Sequence, residues 1–347
     1  MLRTLLLFAL AALEGGAQLR PLVQTGAAEL DVDDPAVWRN TRDPQRSLIL
    51  GTVKAAAPDG ALLVYGLDGS IRQKVAGIDR PNNVDVEYGF RTGGRTVDIA
   101  VVTERRKRAL RVFEIDGERG EVRPLGTIPV FEGEPAERGA PMGIGLYRSR
   151  DGVVFAIVSR KEGPADGYLW QYRLEDDGAG GVRGVKVRAF GKFSGGAGNE
   201  IEAVAVDDAA GRVYYSDEKF GYREYFAEPA KGNGEIGVFG TETFTGDREG
   251  IAIYTGRPGY IVCTEQLPGQ SKYRLYRRAG RHELVSIVEG GADATDGLEA
   301  AASSFGARFP RGFAIAMNSA GKNFYLYRWE EFAGAAVKAA PAVSRAR

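Results

Sequence analysis

The sequence has one histidine, one cysteine and no net charge, and each scarcity removes a class of chemistry. A single imidazole, His282, excludes histidine acid phosphatase chemistry, Ser-His-Asp triads and His-rich zinc sites together. It lies in a Gly-Arg turn and reads as a solvated loop side chain. A single thiol, Cys263, permits no intrachain disulfide, so stability rests on packing; within its apolar run it reads as a small core residue. Lys plus Arg and Asp plus Glu each number 46, which gives no overall pull toward nucleic acid or anionic membrane. Long apolar runs are missing too. The N-terminal LLLFALAAL (5–13) is too short to span a bilayer. With Arg3 before it and small Gly15 and Ala17 after it, it reads as a signal peptide over residues 1–17, the alternative being an uncleaved surface anchor.

What is present is glycine and aromatic surface. There are 48 Gly, 15 Tyr and 16 Phe, with 44% apolar residues, enough for a sizeable core. Short β-rich runs alternate with Gly/Asp turns, as in LLVYGLDG (62–69), LRVFEIDG (110–117) and LWQYRL (169–174). These runs group into units of roughly 45 to 55 residues, about the length of a propeller blade. The expected fold is therefore all-β, a six-bladed β-propeller with antiparallel sheets around a central channel. Its expected span is 18–335 as one domain, with 336–347 a flexible tail; the strand pattern fades from Glu330 onward. The alternative, a pair of two-sheet sandwiches, fits the regular unit length less well.

Acidic residues recur at the ends of the strand runs: Asp31, Asp33, Asp34, Asp85, Glu200, Glu202, Asp217, Glu218, Asp247, Glu249, Asp293, Asp296 and Glu299. Any one of them in a Gly-rich turn reads as an ordinary turn or cap residue. As a set at the mouth of one channel they would repel each other, and a hard divalent cation resolves that repulsion. All-oxygen ligation favours Ca²⁺ over Zn²⁺. Lys54, the pair Arg105-Arg106 and the pair Arg160-Lys161 also follow strand runs, where they can converge on phosphate oxygens.

These residues carry a family resemblance. Asp33-Asp34-Pro35-Ala36-Val37-Trp38, Asn82-Asn83-Val84-Asp85, Lys161-Glu162-Gly163, Asp217-Glu218, Asp247-Arg248-Glu249-Gly250 and Thr295-Asp296-Gly297 resemble, in order, the motifs of the β-propeller phytases. The similarity runs from about residue 24 to 332. It implies a calcium-dependent phosphoric monoester hydrolase of the 3-phytase type, holding several Ca²⁺ ions, some structural and some catalytic. By that resemblance Asp34, Asp85, Glu202, Asp217, Glu218, Asp247, Glu249 and Asp296 are the metal ligands. Lys54, Arg105 and Lys161 hold substrate phosphates, and Glu202, Glu218, Asp247, Glu249 and Lys161 form the catalytic set. The implied partner is a small phosphate ester, calcium-phytate, bound by an exported monomer, periplasmic or extracellular, with no nucleic acid and no membrane span. The sequence departs from the family at Met142, where a tyrosine is usual, at Asp217, at the altered loop after Lys54, and at Gln24-Thr25, where an acidic ligand is usual. A non-catalytic propeller binding a phosphorylated ligand or partner, and a calcium-propeller lactonase or esterase, are the competing readings.

Overall fold

The computed structural model describes residues 19–334; the expected signal peptide and the tail at 336–347 lie outside the described residues. Six four-stranded antiparallel sheets form the six blades of a propeller. The innermost strands are Val32–Trp38, Pro81–Thr92, Pro141–Arg148, Val204–Asp207, Asp247–Tyr254 and Leu298–Ala301. Each neighbours the next, and the sixth returns to the first, so the sheets close around a channel. Closure is made by the chain ends. The N-terminal pair Val23–Gln24 adds to Asn323–Arg328 as the outer strand of the sixth blade.

The packing follows from period-two alternation in strands buried on both faces. Every residue of Leu48–Val53 is buried. Leu48 and Leu50 enter the core shared with the second blade. Ile49 and Val53 enter the core shared with the sixth. Six apolar cores of this kind sit between adjacent blades. Cys263 is buried in one of them, as its apolar context suggests.

Two expectations are corrected. The chain does not fray at Glu330: Trp329–Phe332 forms a helical turn whose Trp329 and Phe332 are buried in the core between the fifth and sixth blades. His282 is not solvated but buried. A positive φ of 52° folds its turn back, and the ring packs on Tyr214 and Phe239 at 5.4 and 4.7 Å between centroids.

Its Nδ1 lies 2.9 Å from the Arg277 carbonyl oxygen and its Nε2 3.3 Å from Glu224 Oε2. Both nitrogens face acceptors, which only the doubly protonated ring satisfies. Burial works against that charge, but the hydrogen bonds to Glu224 and the Arg277 carbonyl outweigh it and raise the pKa; Arg212, paired with the same Glu224, opposes them. A raised histidine pKa gives stability that is complete below the unfolded value near 6.5 and is lost as pH rises through the folded value. The urea midpoint is thus expected to fall as pH is raised above about 6.5. His282→Asn should flatten that slope. An equal slope in the variant would mean the ring is neutral.

Candidate active site

Four inner strands begin with the same register shift, placed between Val32 and Pro35, Pro81 and Val84, Pro141 and Ile144, and Arg248 and Ile251. Each is a β-bulge, which inserts an extra residue and re-aims the side chains beside it. In all six blades regular pairing of the inner strand starts at an equivalent residue: Pro35, Val84, Ile144, Val204, Ile251 and Leu298. Two positions before that residue stand Asp33, Asn82, Met142, Glu202, Glu249 and Asp296. This is one structural layer around the channel mouth, polar in five blades and apolar only at Met142.

The second strands supply an outer layer. Their residues opposite those six are followed by Thr52, Thr103, Ser159, Ser216, Thr264 and Met317. Four of these hydroxyls staple one blade to the next. Thr52 donates to the Asn82 carbonyl at 2.6 Å, Thr103 to that of Met142 at 2.8 Å and Ser159 to that of Ile201 at 2.6 Å; Ser216 donates to the Arg248 carbonyl. The following residue alternates away and pairs locally: Glu104 with Arg111, Arg160 with Glu134, Asp217 with Arg223 and Glu265 with Arg274. One residue further on, the side chains of Lys54, Arg105, Lys161, Glu218 and Gln266 return to the mouth.

The glycines after the inner layer bring the acids together. A Cβ on Gly143 would lie 1.9 Å from the Glu202 carbonyl oxygen, one on Gly250 2.7 Å from that of Asp296, and one on Gly297 2.5 Å from that of Asp33. Each glycine admits the acid-bearing backbone of the next blade, and Gly250 and Gly297 hydrogen-bond to it at 2.9 and 3.0 Å.

The result is a mouth polarised across its diameter. Three cations lie on the first three blades. Lys54 is ion-paired with Asp33, with Asp296 at 3.3 Å and with Glu202 at 3.7 Å. Arg105 donates to Asn82 Oδ1 at 3.1 Å, and Asn82 in turn donates to Glu202. Lys161 pairs with Glu200. The carboxylates of the opposite half fall into two groups, Glu200–Glu202–Glu218 and Glu218–Asp247–Glu249, whose oxygens lie within 4.8 Å of one another. Asp296 accepts from Gln266. Below the mouth the channel opens to about 360 Å³, lined by Asp34, Asp85 and Glu299 among others.

Burial dominates the electrostatics. It pushes Glu218 up to about 9, aided by Glu202, Glu200 and Asp247. It raises Glu249 well above the carboxylate range, aided by Glu218, and raises Asp296 against the pull of Lys54. In the channel it carries Asp85 to about 7 and Glu299 to about 8, and lifts Asp34 despite the Val84 N–H. Burial also pulls on Lys54, but Asp33, Glu202 and Asp296 outweigh it and hold the ammonium charged. Asp33 is buried, and neither of its oxygens has a hydrogen-bond donor of good geometry; Lys54 is its counter-ion. Carboxylates held away from their ordinary ionisation, with no nitrogen or sulfur ligand among them, fit a hard cation.

Of the residues expected at the site, Lys54, Arg105, Lys161, Glu202, Glu218, Asp247, Glu249 and Asp296 meet at the mouth, and Asp34 and Asp85 line the channel beneath it. Asp217 has another task. Its carboxylate accepts from the Ser194 N–H and hydroxyl, the Asn199 amide and Arg223, at 2.6–2.9 Å, and belongs to neither close carboxylate group among the described residues. Asp33, Glu200 and Glu299 join the site without having been assigned to it. Gln266 was missed altogether; aligning the second strands on their hydroxyl residue exposes it.

A mouth that sets three cations against two clusters of carboxylates can hold a polyanion together with hard cations. The family model described as Phytase matches residues 19–344. The 3-phytase of Bacillus subtilis (strain 168) is 30% identical over 325 residues, covering 87% of this chain and 80% of that protein. A crystal structure of a protein from Lactobacillus plantarum is similar in fold, with a TM-score of 0.52 at 12% identity over 84% of this chain and 80% of that one. The chain belongs to the phytase family, and it is a phosphoric monoester hydrolase acting on phytate.

Proposed function

We propose that this enzyme is an exported, monomeric, calcium-dependent 3-phytase that releases inorganic phosphate from calcium-phytate without a phospho-enzyme. The observation that carries this reading is the polarised mouth. Glu200, Glu202, Glu218, Asp247 and Glu249 would hold Ca²⁺ in the acidic half, with Asp296 beside them and Asp34 and Asp85 as ligands within the channel. Bound Ca²⁺ would supply charge neutralisation and Lewis acidity toward phosphate oxygens and water. The chain's own cations do the rest. Lys54, Arg105 and Lys161 grip phosphate oxygens, align the ester and stabilise the charge that develops on it. Water oxygen bonds to phosphorus as the ester P–O bond breaks, and a water proton ends on the inositol hydroxyl. The attack at the 3-position follows the 3-phytase relative, and export follows the signal-peptide pattern at 1–17.

The test is phosphate release from phytate with and without a calcium chelator. Chelation should abolish release, and calcium should restore it. Lys161→Ala should lower kcat/KM by about 10- to 150-fold, the value of one charge-assisted phosphate contact. Release indifferent to chelation would remove calcium from the reading.

A further inference from the structure

Lys219 adjoins the acidic half of the mouth but belongs to neither of the structural layers above. It sits in the turn between the second and third strands of the fourth blade, directly after Glu218. The backbone of that turn is fixed. Asp217 anchors it through four donors, the Lys219 N–H donates to Asn199 Oδ1 at 2.9 Å, and the Phe220 N–H donates to the Asp217 carbonyl at 2.7 Å. Arg223 lies over the Phe220 ring at 4.3 Å. The side chain is not fixed in this way. It is 44% exposed, and its ammonium is ion-paired with Asp247, itself 39% exposed. The buried Lys54, by contrast, lies among three carboxylates at once.

Asp247 is the third residue of the group whose oxygens converge with those of Glu218 and Glu249. An ammonium on Asp247 competes for the carboxylate that a divalent cation in this group would need. The two charges also repel at short range, so they exclude each other. Because the stem is long and 44% exposed, a displaced ammonium can stay at the rim of the same mouth.

Building on the reading above, we propose that Lys219 is an exchangeable counter-cation: it holds Asp247 in the metal-free protein, yields it to Ca²⁺, and then serves as a further phosphate-binding residue. Phosphate that draws Lys219 away frees Asp247, so phosphate and Ca²⁺ favour each other's binding, each by the same factor. Lys219 carries part of that coupling.

The experiment follows metal binding without turnover. The Ca²⁺ concentration that gives half of the gain in melting temperature is measured for the full chain, with and without inorganic phosphate. In the absence of phosphate, Lys219→Gln should bind Ca²⁺ about three- to tenfold more tightly at low ionic strength, the size of one surface charge acting on a divalent ion. Phosphate should tighten Ca²⁺ binding less in the variant than in the parent, and Lys219→Arg should keep the parental behaviour. An unchanged Ca²⁺ midpoint in Lys219→Gln, with unchanged coupling to phosphate, would overturn the assignment while leaving the calcium reading intact. A parent chain that gains no stability from Ca²⁺ would overturn both.

Discussion

Glu218→Gln is expected to melt a few degrees higher than the parent chain in chelator, yet to release phosphate about 10²- to 10³-fold more slowly. Both effects come from one position. Glu218 is the residue shared by the two close carboxylate groups, so its charge is needed on both sides. Without a cation, that charge is a liability. Glu218 is 5% exposed, and burial together with Glu202, Glu200 and Asp247 pushes its carboxyl up to about 9 from an ordinary 4.5. A carboxyl with a raised folded pKa costs stability as pH climbs above the unfolded value, and the cost grows until the folded value is reached. Near neutral pH most of that cost is present, about 1–3 kcal/mol, and a neutral glutamine of the same shape avoids it. Calcium should reverse the order, since the variant loses a ligand and gains less from the metal. Calorimetry in chelator and in excess Ca²⁺, beside a phosphate-release assay, measures all three effects. A variant less stable than the parent in chelator would show that Glu218 is not held against its own charge.

Lys54→Met is expected to be the most destabilising single change at the mouth, at about 3–5 kcal/mol. Lys54 is the counter-ion of Asp33, a side chain 1% exposed, and it also faces Glu202 and Asp296. Without Lys54 the Asp33 carboxyl, which burial already pushes well above its ordinary range, must carry a charge with neither water nor a mate or take up a proton, and either costs stability. Asp33→Asn in the Lys54→Met background should therefore recover most of the stability, because it removes the stranded charge. It should recover none of the activity, because the cation proposed to grip phosphate is still missing. Urea midpoints for the two single variants and the double variant make the cycle. A loss below about 1 kcal/mol in Lys54→Met would mean that Asp33 is not ionised in the fold.

The propeller was legible because its signals are local: turn residues at short intervals, β-branched and aromatic runs between them, and a unit length that repeats. The two halves of the mouth were legible as residue types at strand ends. What escaped was which neighbour faces inward. Asp217 and Glu218 are adjacent acids, and composition cannot separate them; the pleat sends one to Arg223 and the other to the cluster. Arg160 and Lys161 divide in the same way, Arg160 lying over Phe131 and Trp170 while Lys161 reaches Glu200. Gln266 carries no charge and drew no attention, although it occupies the place that Lys54, Arg105, Lys161 and Glu218 hold in their own blades. His282 misled for a related reason: a turn rich in Gly and Arg reads as solvated, but a left-handed residue within it turned the ring back onto aromatic neighbours.

The pairing of Val23–Gln24 with Asn323–Arg328 sets an order on how the protein is made. A ribosome delivers the first of these strands at the start of synthesis and its partner near the end. The nascent chain thus carries the acids of the first five blades while the circle is still open, and Asp296 has no completed sixth blade to hold it until Asn323–Arg328 has emerged. The mouth is the last thing the chain acquires, so a product cut short before Asn323 lacks the closed ring that brings its charges together.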